Sequence, residues 1–163
     1  MKKYISYIGI CLAILLSGCN QEDDVFEIFA SGQTWHWIGS YDTNNWEDDN
    51  KSTSSLTRSE LAQITQDKEK YVIRFSKDGT VEGQGNAFTF TGTWSANGKD
   101  RSFSIRVNAN GTPSGLDKTF FDEISNAKFY RGDSRNFIKL FDMDKKHFIQ
   151  LCPAELFDRL GTN

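Results

Sequence analysis

The chain has 163 residues, with 19 Lys and Arg against 22 Asp and Glu, for a net charge of −3. That length suits one domain, and at such a size a fold buries roughly 68% of its unfolded surface without a metal or disulfide staple. The acidic balance, with no basic stripe in any segment, excludes nucleic acid as an expected partner.

The chain opens on Lys2 and Lys3, followed by an apolar run from Ile8 to Leu16. This run is too short for a permanent membrane span and reads as a signal peptide over residues 1–18. Leu16-Ser17-Gly18-Cys19 resembles the lipobox of bacterial lipoproteins. The resemblance implies cleavage before Cys19 and acylation of its thiol and new amine. Each buried CH₂ of an acyl chain adds about 0.8 kcal/mol, so several chains anchor a protein firmly to a membrane. Asn20 and Gln21 are followed by Glu22, Asp23 and Asp24. This acidic cluster resembles the surface-export signal of Bacteroidetes lipoproteins and implies an outer-membrane lipoprotein exposed at the cell surface.

Residues 19–32 read as lipid anchor and acidic tether. Val25, Phe26, Ile28 and Phe29 are apolar enough for part of the tether to dock. The domain is expected over residues 33–156, with a tail at 157–163. Thr34 to Ile38 reads as its first strand, with Trp35 and Trp37 on one face. Tyr41, Asp42, Trp46, Glu47 and Asp48 follow in a polar stretch. Flat rings stack on sugar faces and carboxylates hold hydroxyls, so Trp46, Tyr41, Asp42, Trp35 and Trp37 are the candidate ligand-binding residues. Core packing is the competing reading of Trp35, Trp37 and Trp46.

Asn50 to Thr57 reads as a polar loop. Thr57 and Glu60 form a capping box, with Leu61 and Ile64 at helical spacing behind it. Tyr71 to Trp94 then shows three strands. Tyr71, Ile73 and Phe75 alternate with Val72 and Arg74, and Asp78-Gly79 forms a hairpin turn. Phe88, Phe90 and Trp94 share one face, with Thr89, Thr91 and Thr93 on the other. Gly83, Gly85 and Gly92 read as bulges or corners.

Asn97-Gly98 turns into a strand with Phe103, Ile105 and Val107 on one face. Leu116, Phe120 and Ile124, with Phe121 beside them, mark a helix between Asp117 and Asn126. Three strands close the chain, at Ala127 to Tyr130, Phe137 to Phe141 and Phe148 to Leu151. Arg131-Gly132-Asp133 spells an adhesion tripeptide, but lies where a turn expects Gly-Asp.

No catalytic constellation is recognised. The two histidines, His36 and His147, fall in strands, and no Cys/His spacing suits zinc. No cofactor and no metal are expected. Cys152 is the remaining thiol of the domain and reads as buried.

These residues resemble the META/HslJ-like domain family. The resemblance rests on Thr34 to Trp37, Phe75, Asp78-Gly79, Gly83, Gly85-Asn86, Phe88, Gly92-Thr93-Trp94 and the final strands, across residues 33–153. The family's Cys before Asn86 is missing, so the disulfide it would make is absent. The resemblance implies a compact, mainly β fold with helical cover. Such domains are tied to envelope stress, drug tolerance and secretion, with no agreed ligand. The lipocalin-like lipoproteins share the Phe-x-x-Asp-Gly-Thr hairpin and a Gly-Thr-Trp strand, and would hold a small apolar ligand in a hollow interior.

The expected fold is mainly β, an antiparallel barrel-like or strongly curved sheet of about seven or eight strands under one or two short helices. The expected role is binding in the cell envelope, as a monomer on a lipid anchor. The partner is a protein, a glycan or a small apolar ligand. A glycan-binding or carboxylate-based hydrolytic domain is the third alternative.

Overall fold

A computed structural model describes residues 23–48 and 50–160. The order is α1 (Val25–Phe29), β1 (Trp35–Thr43), β2 (Ser52–Ser54), α2 (Arg58–Thr65), β3 (Val72–Phe75), β4 (Thr80–Gln84), β5 (Thr89–Asn97), β6 (Ser102–Asn110), α3 (Leu116–Ser125), β7 (Phe129–Gly132), β8 (Ile138–Phe141), β9 (His147–Pro153) and α4 (Ala154–Leu160). The fold is mainly β, as the alternation predicts. All pairing is antiparallel, in the order β2-β1-β3-β4-β5-β6-β7-β8-β9, and β1 also pairs with β9 over Trp35↔Pro153 to Asp42↔His147. The sheet therefore curls until it closes on itself.

One edge of β1 is divided. Its start pairs with β3 through Trp35↔Ile73 and His36↔Val72. Its end pairs with β2 through Tyr41↔Ser54 and Thr43↔Ser52. The stretch read as a loop thus contains a short strand. Ser and Thr give it no apolar alternation, because it serves only to cover a polar edge.

The inward residues are those of the period-two pattern. Phe90 and Trp94 are buried while Thr89, Thr91 and Thr93 are exposed, and Phe103 and Ile105 are buried while Ser104 and Arg106 are exposed. The interior is filled with rings. Phe75 meets Trp94 at 5.2 Å and Phe103 at 6.0 Å, largely edge-to-face, as aromatic quadrupoles favour.

Helices close the two openings. α1 inserts Phe29 among Phe75, Trp94, Phe103 and Tyr130, with centroids 5.1–5.3 Å away. α3 inserts Phe120 against Trp37 at 5.3 Å and Tyr71 at 5.7 Å. α2 is capped as read, with Thr57 and Glu60 each accepting from the other's backbone, and it buries Ile64. α4 crosses the boundary expected at residue 156 and stacks Phe157 on His36 at 4.0 Å.

Two expectations change. The packed structure includes α1, ahead of residue 33, because Phe29 belongs to the interior and is 0% exposed. Gly83 and Gly92 are not bulges, since both lie in unbroken pairing, Ile73↔Gly83↔Phe90 and Val81↔Gly92↔Val107. They make room instead. A Cβ on Gly83 would stand 2.1 Å from the Phe90 ring, and one on Gly92 would stand 1.9 Å from the Arg106 carbonyl oxygen. The bulge of this sheet lies between Trp37 and Gly39.

Truncating Phe29 to Ala removes a fully buried ring and should cost about 3–5 kcal/mol. Phe26→Ala, one turn earlier on an exposed face, should cost under about 1 kcal/mol. Urea unfolding of the two variants measures the contrast, and equal costs would show that the tether does not contribute to the interior.

Candidate functional site

The bulge reverses the parity of β1. Before it, Trp35 and Trp37 face inward; after it, Ser40 does, and Asp42 follows two residues on. Asp42 stands directly opposite His147 at the start of β9. The His147 Nδ1 lies 2.8 Å from an Asp42 carboxylate oxygen. Its Nε2 lies 3.1 Å from Oε1 of Glu123, on α3. The other Glu123 oxygen accepts from the Ser40 hydroxyl, which in turn accepts from the Trp37 indole N–H at 3.1 Å. A polar relay thus runs from the buried Trp37 to the solvent-exposed Asp42.

Its electrostatics follow from this geometry. The Glu123 hydrogen bond is the largest effect on His147, burial opposes it, and Asp42 adds to it, so the imidazolium pKa is pushed up to about 9. At neutral pH both ring nitrogens carry protons held by carboxylates. No lone pair is left for general-base work. Ser40 is fully buried and donates to Glu123, so it is not placed to attack a substrate. The relay ties β1, β9 and α3 together. Among the described residues no group of His, Cys, Asp and Glu is arranged to hold a metal ion.

The reversed parity sends Tyr41 outward. It stacks on Phe148 at 5.2 Å, Phe148 meets Phe141 at 4.9 Å, and Phe141 pairs with Phe129. These four residues form a lateral row across β7, β8, β9 and β1. Trp46 covers its far end, 5.6 Å from Phe141 and 6.0 Å from Phe129. Two cations lie over the Trp46 ring, Lys145 Nζ at 3.8 Å and the Arg101 guanidinium at 4.6 Å. Glu47 holds Arg101 at 2.7 Å, and Arg131 donates to the Trp46 carbonyl.

The sequence-derived candidates therefore separate. Tyr41 and Asp42 lie at the surface on opposite faces of β1, and Trp46 stands half-exposed in the turn that follows it. Trp35 and Trp37 are interior residues, with indole N–H groups given to the Phe29 carbonyl and to Ser40. Cys152 is buried, and burial pushes its thiol up to about 11. Cys19 and Glu22 lie outside the described residues. Asp23 accepts from the Tyr130 hydroxyl at 3.0 Å, and Asp24 caps α1 by accepting from the N–H groups of Phe26 and Glu27.

The Gly-rich corner has a partner that the sequence concealed. Asp117 is buried and accepts from the backbone N–H of Asn86 at 2.6 Å and of Ala87 at 2.9 Å. A Cβ on Gly85 would stand 2.2 Å from the Phe88 ring and 2.7 Å from this carboxylate. Burial, then Asp117, pushes the Tyr71 hydroxyl up to about 12. Gly85, Asn86 and Phe88 thus fasten the corner to α3 rather than forming a ligand loop. A surface cleft of about 490 Å³ lies elsewhere, lined by groups including Ser31, Gln33, Arg135 and Glu155.

Residues 20–153 match the family model described as Domain of unknown function (DUF4847). The chain is also similar to a solved structure, that of a DUF4847 family protein from Bacteroides vulgatus ATCC 8482. The two share 32% identity with a TM-score of 0.65, over 78% of this chain and 96% of that one. No curated protein matches the chain.

The His147 ion triad gives a pH dependence of definite sign. Its folded pKa of about 9 exceeds the ordinary imidazole value of 6.5, so its stabilisation is complete below about pH 6.5 and is lost as pH rises through about 9. His147→Gln should cost about 1–2 kcal/mol at pH 6, allowing for solvent screening. The gap between the variant and the parent chain should close by about pH 10. Paired denaturant titrations at the two pH values measure it, and a gap that does not change with pH would rule out the charged triad.

Proposed function

This chain belongs to the DUF4847 family, and from that premise we propose that it is a lipid-anchored protein of the outer cell envelope whose β domain binds a partner on its outside and performs no catalysis. The observation that carries this reading is the interior. Trp35, Trp37, Phe75, Phe90, Trp94, Phe103 and Tyr130 fill the ring, and Phe29 and Phe120 stop its ends. Recognition then belongs to the outer surface, where Trp46 and Tyr41 stand half-exposed beside charged groups. A protein or a glycan fits such a surface, since aromatic rings and fixed charges serve both.

The anchor is supported by the leader and by Leu16-Ser17-Gly18-Cys19. Exposure at the cell surface is supported by Glu22, Asp23 and Asp24, although Asp23 and Asp24 also serve the fold. The META/HslJ-like resemblance supports an envelope-stress setting for the same domain.

The lipocalin-like carrier is the second reading. One observation favours it: from β3 to β9 each strand pairs with the next, and β1 closes the ring between β3 and β9, the order of an up-and-down closed sheet with β2 as an added edge strand. The filled interior weighs against it, because a carrier needs a hollow that these rings occupy.

Native mass spectrometry of the protein released gently from its own host separates the readings. The expected mass is that of the chain from Cys19 with its acyl groups and nothing else retained. Cys19→Ala should move the protein from the membrane fraction to the soluble one. A retained small apolar molecule would establish the carrier instead.

A further inference from the structure

The outer wall of the ring has its own pattern where β7, β8 and β9 run together. Tyr130, Ile138, Leu140, Ile149 and Leu151 belong to the interior, so the residues between them point out. Arg131 stands directly opposite Lys139, and Lys139 directly opposite Gln150. One lateral row on the outside thus carries a guanidinium, an ammonium and a carboxamide. It lies two residues along each strand from the row of Phe129, Phe141 and Phe148.

This row is the floor of a cleft of about 370 Å³, and the β7–β8 turn forms its rim with Asp133, Asn136 and Phe137. That volume lies within the range of small-ligand sites. The cations are held rather than loose. Arg131 donates to the Trp46 carbonyl, and the Lys139 Nζ lies 5.0 Å over the Phe148 ring. Groups positioned in advance lose little freedom when a ligand arrives. Asp133 is the carboxylate among the described lining residues, and its own turn engages it. It accepts from the backbone N–H of Arg135 at 2.8 Å and of Asn136 at 2.9 Å, and from the Asn136 side chain at 3.1 Å. These bonds orient the Asn136 carboxamide at the rim. Glu47 stands beyond the lining, 4.0 Å from the Arg131 Nε and 2.7 Å from Arg101.

Each group of the cleft has a counterpart on a carboxylated sugar. Fixed cations attract its carboxylate. Carboxamides donate to its hydroxyls and accept from them. The half-buried Phe137 ring offers a flat apolar face to its C–H groups. We infer that the outer face of β7, β8 and β9 is a binding site for a carboxylated sugar residue of a glycan, with Lys139 and Arg131 holding the carboxylate and Gln150 and Asn136 the hydroxyls. The inference rests on the outer-surface recognition proposed above and names its ligand class.

The test titrates the protein, released from its own host in mild detergent, by isothermal calorimetry. The probes are oligogalacturonate, a hyaluronan oligosaccharide and oligosialic acid, each beside its carboxyl-reduced form. The expected result is binding of at least one acidic oligosaccharide, with its reduced form bound about ten-fold more weakly or not at all. Lys139→Gln should weaken that binding about ten-fold, and Gln150→Ala should weaken it as well. Lys99→Gln, which removes the same charge at the exposed β5–β6 tip, should leave it unchanged. No binding by any acidic oligosaccharide, equal binding of acidic and reduced forms, or a loss at Lys139 no larger than at Lys99 overturns this site and leaves the outer-surface reading standing. A small apolar molecule retained in the native mass overturns that reading, and this site with it.

Discussion

The bulge between Trp37 and Gly39 decides what each side of β1 can do. A strand with unbroken alternation would carry Tyr41 inward behind Trp35 and Trp37, and would turn Ser40 and Asp42 to the outside. The extra residue exchanges the two sets. Ser40 takes the Trp37 indole N–H inside the ring, and Asp42 meets His147 at the rim. Tyr41 joins Phe148 on the outside. The inner relay and the outer aromatic row both follow from that single shift of register, and β9 transmits it because β9 pairs along the whole of β1.

Buried polar groups elsewhere follow the same logic of complete partnership. Asp117 is a carboxylate in the interior, tolerated because two backbone N–H groups point at it. Its acceptors fix the corner after β4, and the close fit under Phe88 leaves space only for a glycine at residue 85. The same rule makes His147, Glu123 and Asp42 a brace: each ring nitrogen is held by its own carboxylate.

Much of the fold was legible in the chain. The Thr and Phe alternation of β5, the Asp78-Gly79 turn and the Thr57–Glu60 capping box each rest on a local pattern, and local patterns survive folding when the interior agrees with them. What escaped was non-local. Nothing near His147 in sequence announces Glu123 or Asp42, because strand register and a helix from another part of the chain bring them together. The bulge left no mark, since alternation continues plausibly through Gly39. The five residues of α1 are too few to show a helical period, so Phe29 read as tether although it completes the interior. Trp46 has polar neighbours in the chain and stands half-exposed, but the cations over it come from two distant turns.

The pairing of β1 with β9 joins the beginning of the domain to its end. Loop-closure entropy rises with the length of chain enclosed, and this contact encloses nearly all of it. Hairpins such as β5–β6 can form early, but the ring cannot shut until the final strand is present. An incomplete chain therefore stays open, with its aromatic face uncovered and β1 lacking a partner along one edge. Closure is postponed by topology alone until β9 is delivered, so the order in which the chain becomes available sets the order in which its aromatic face is covered.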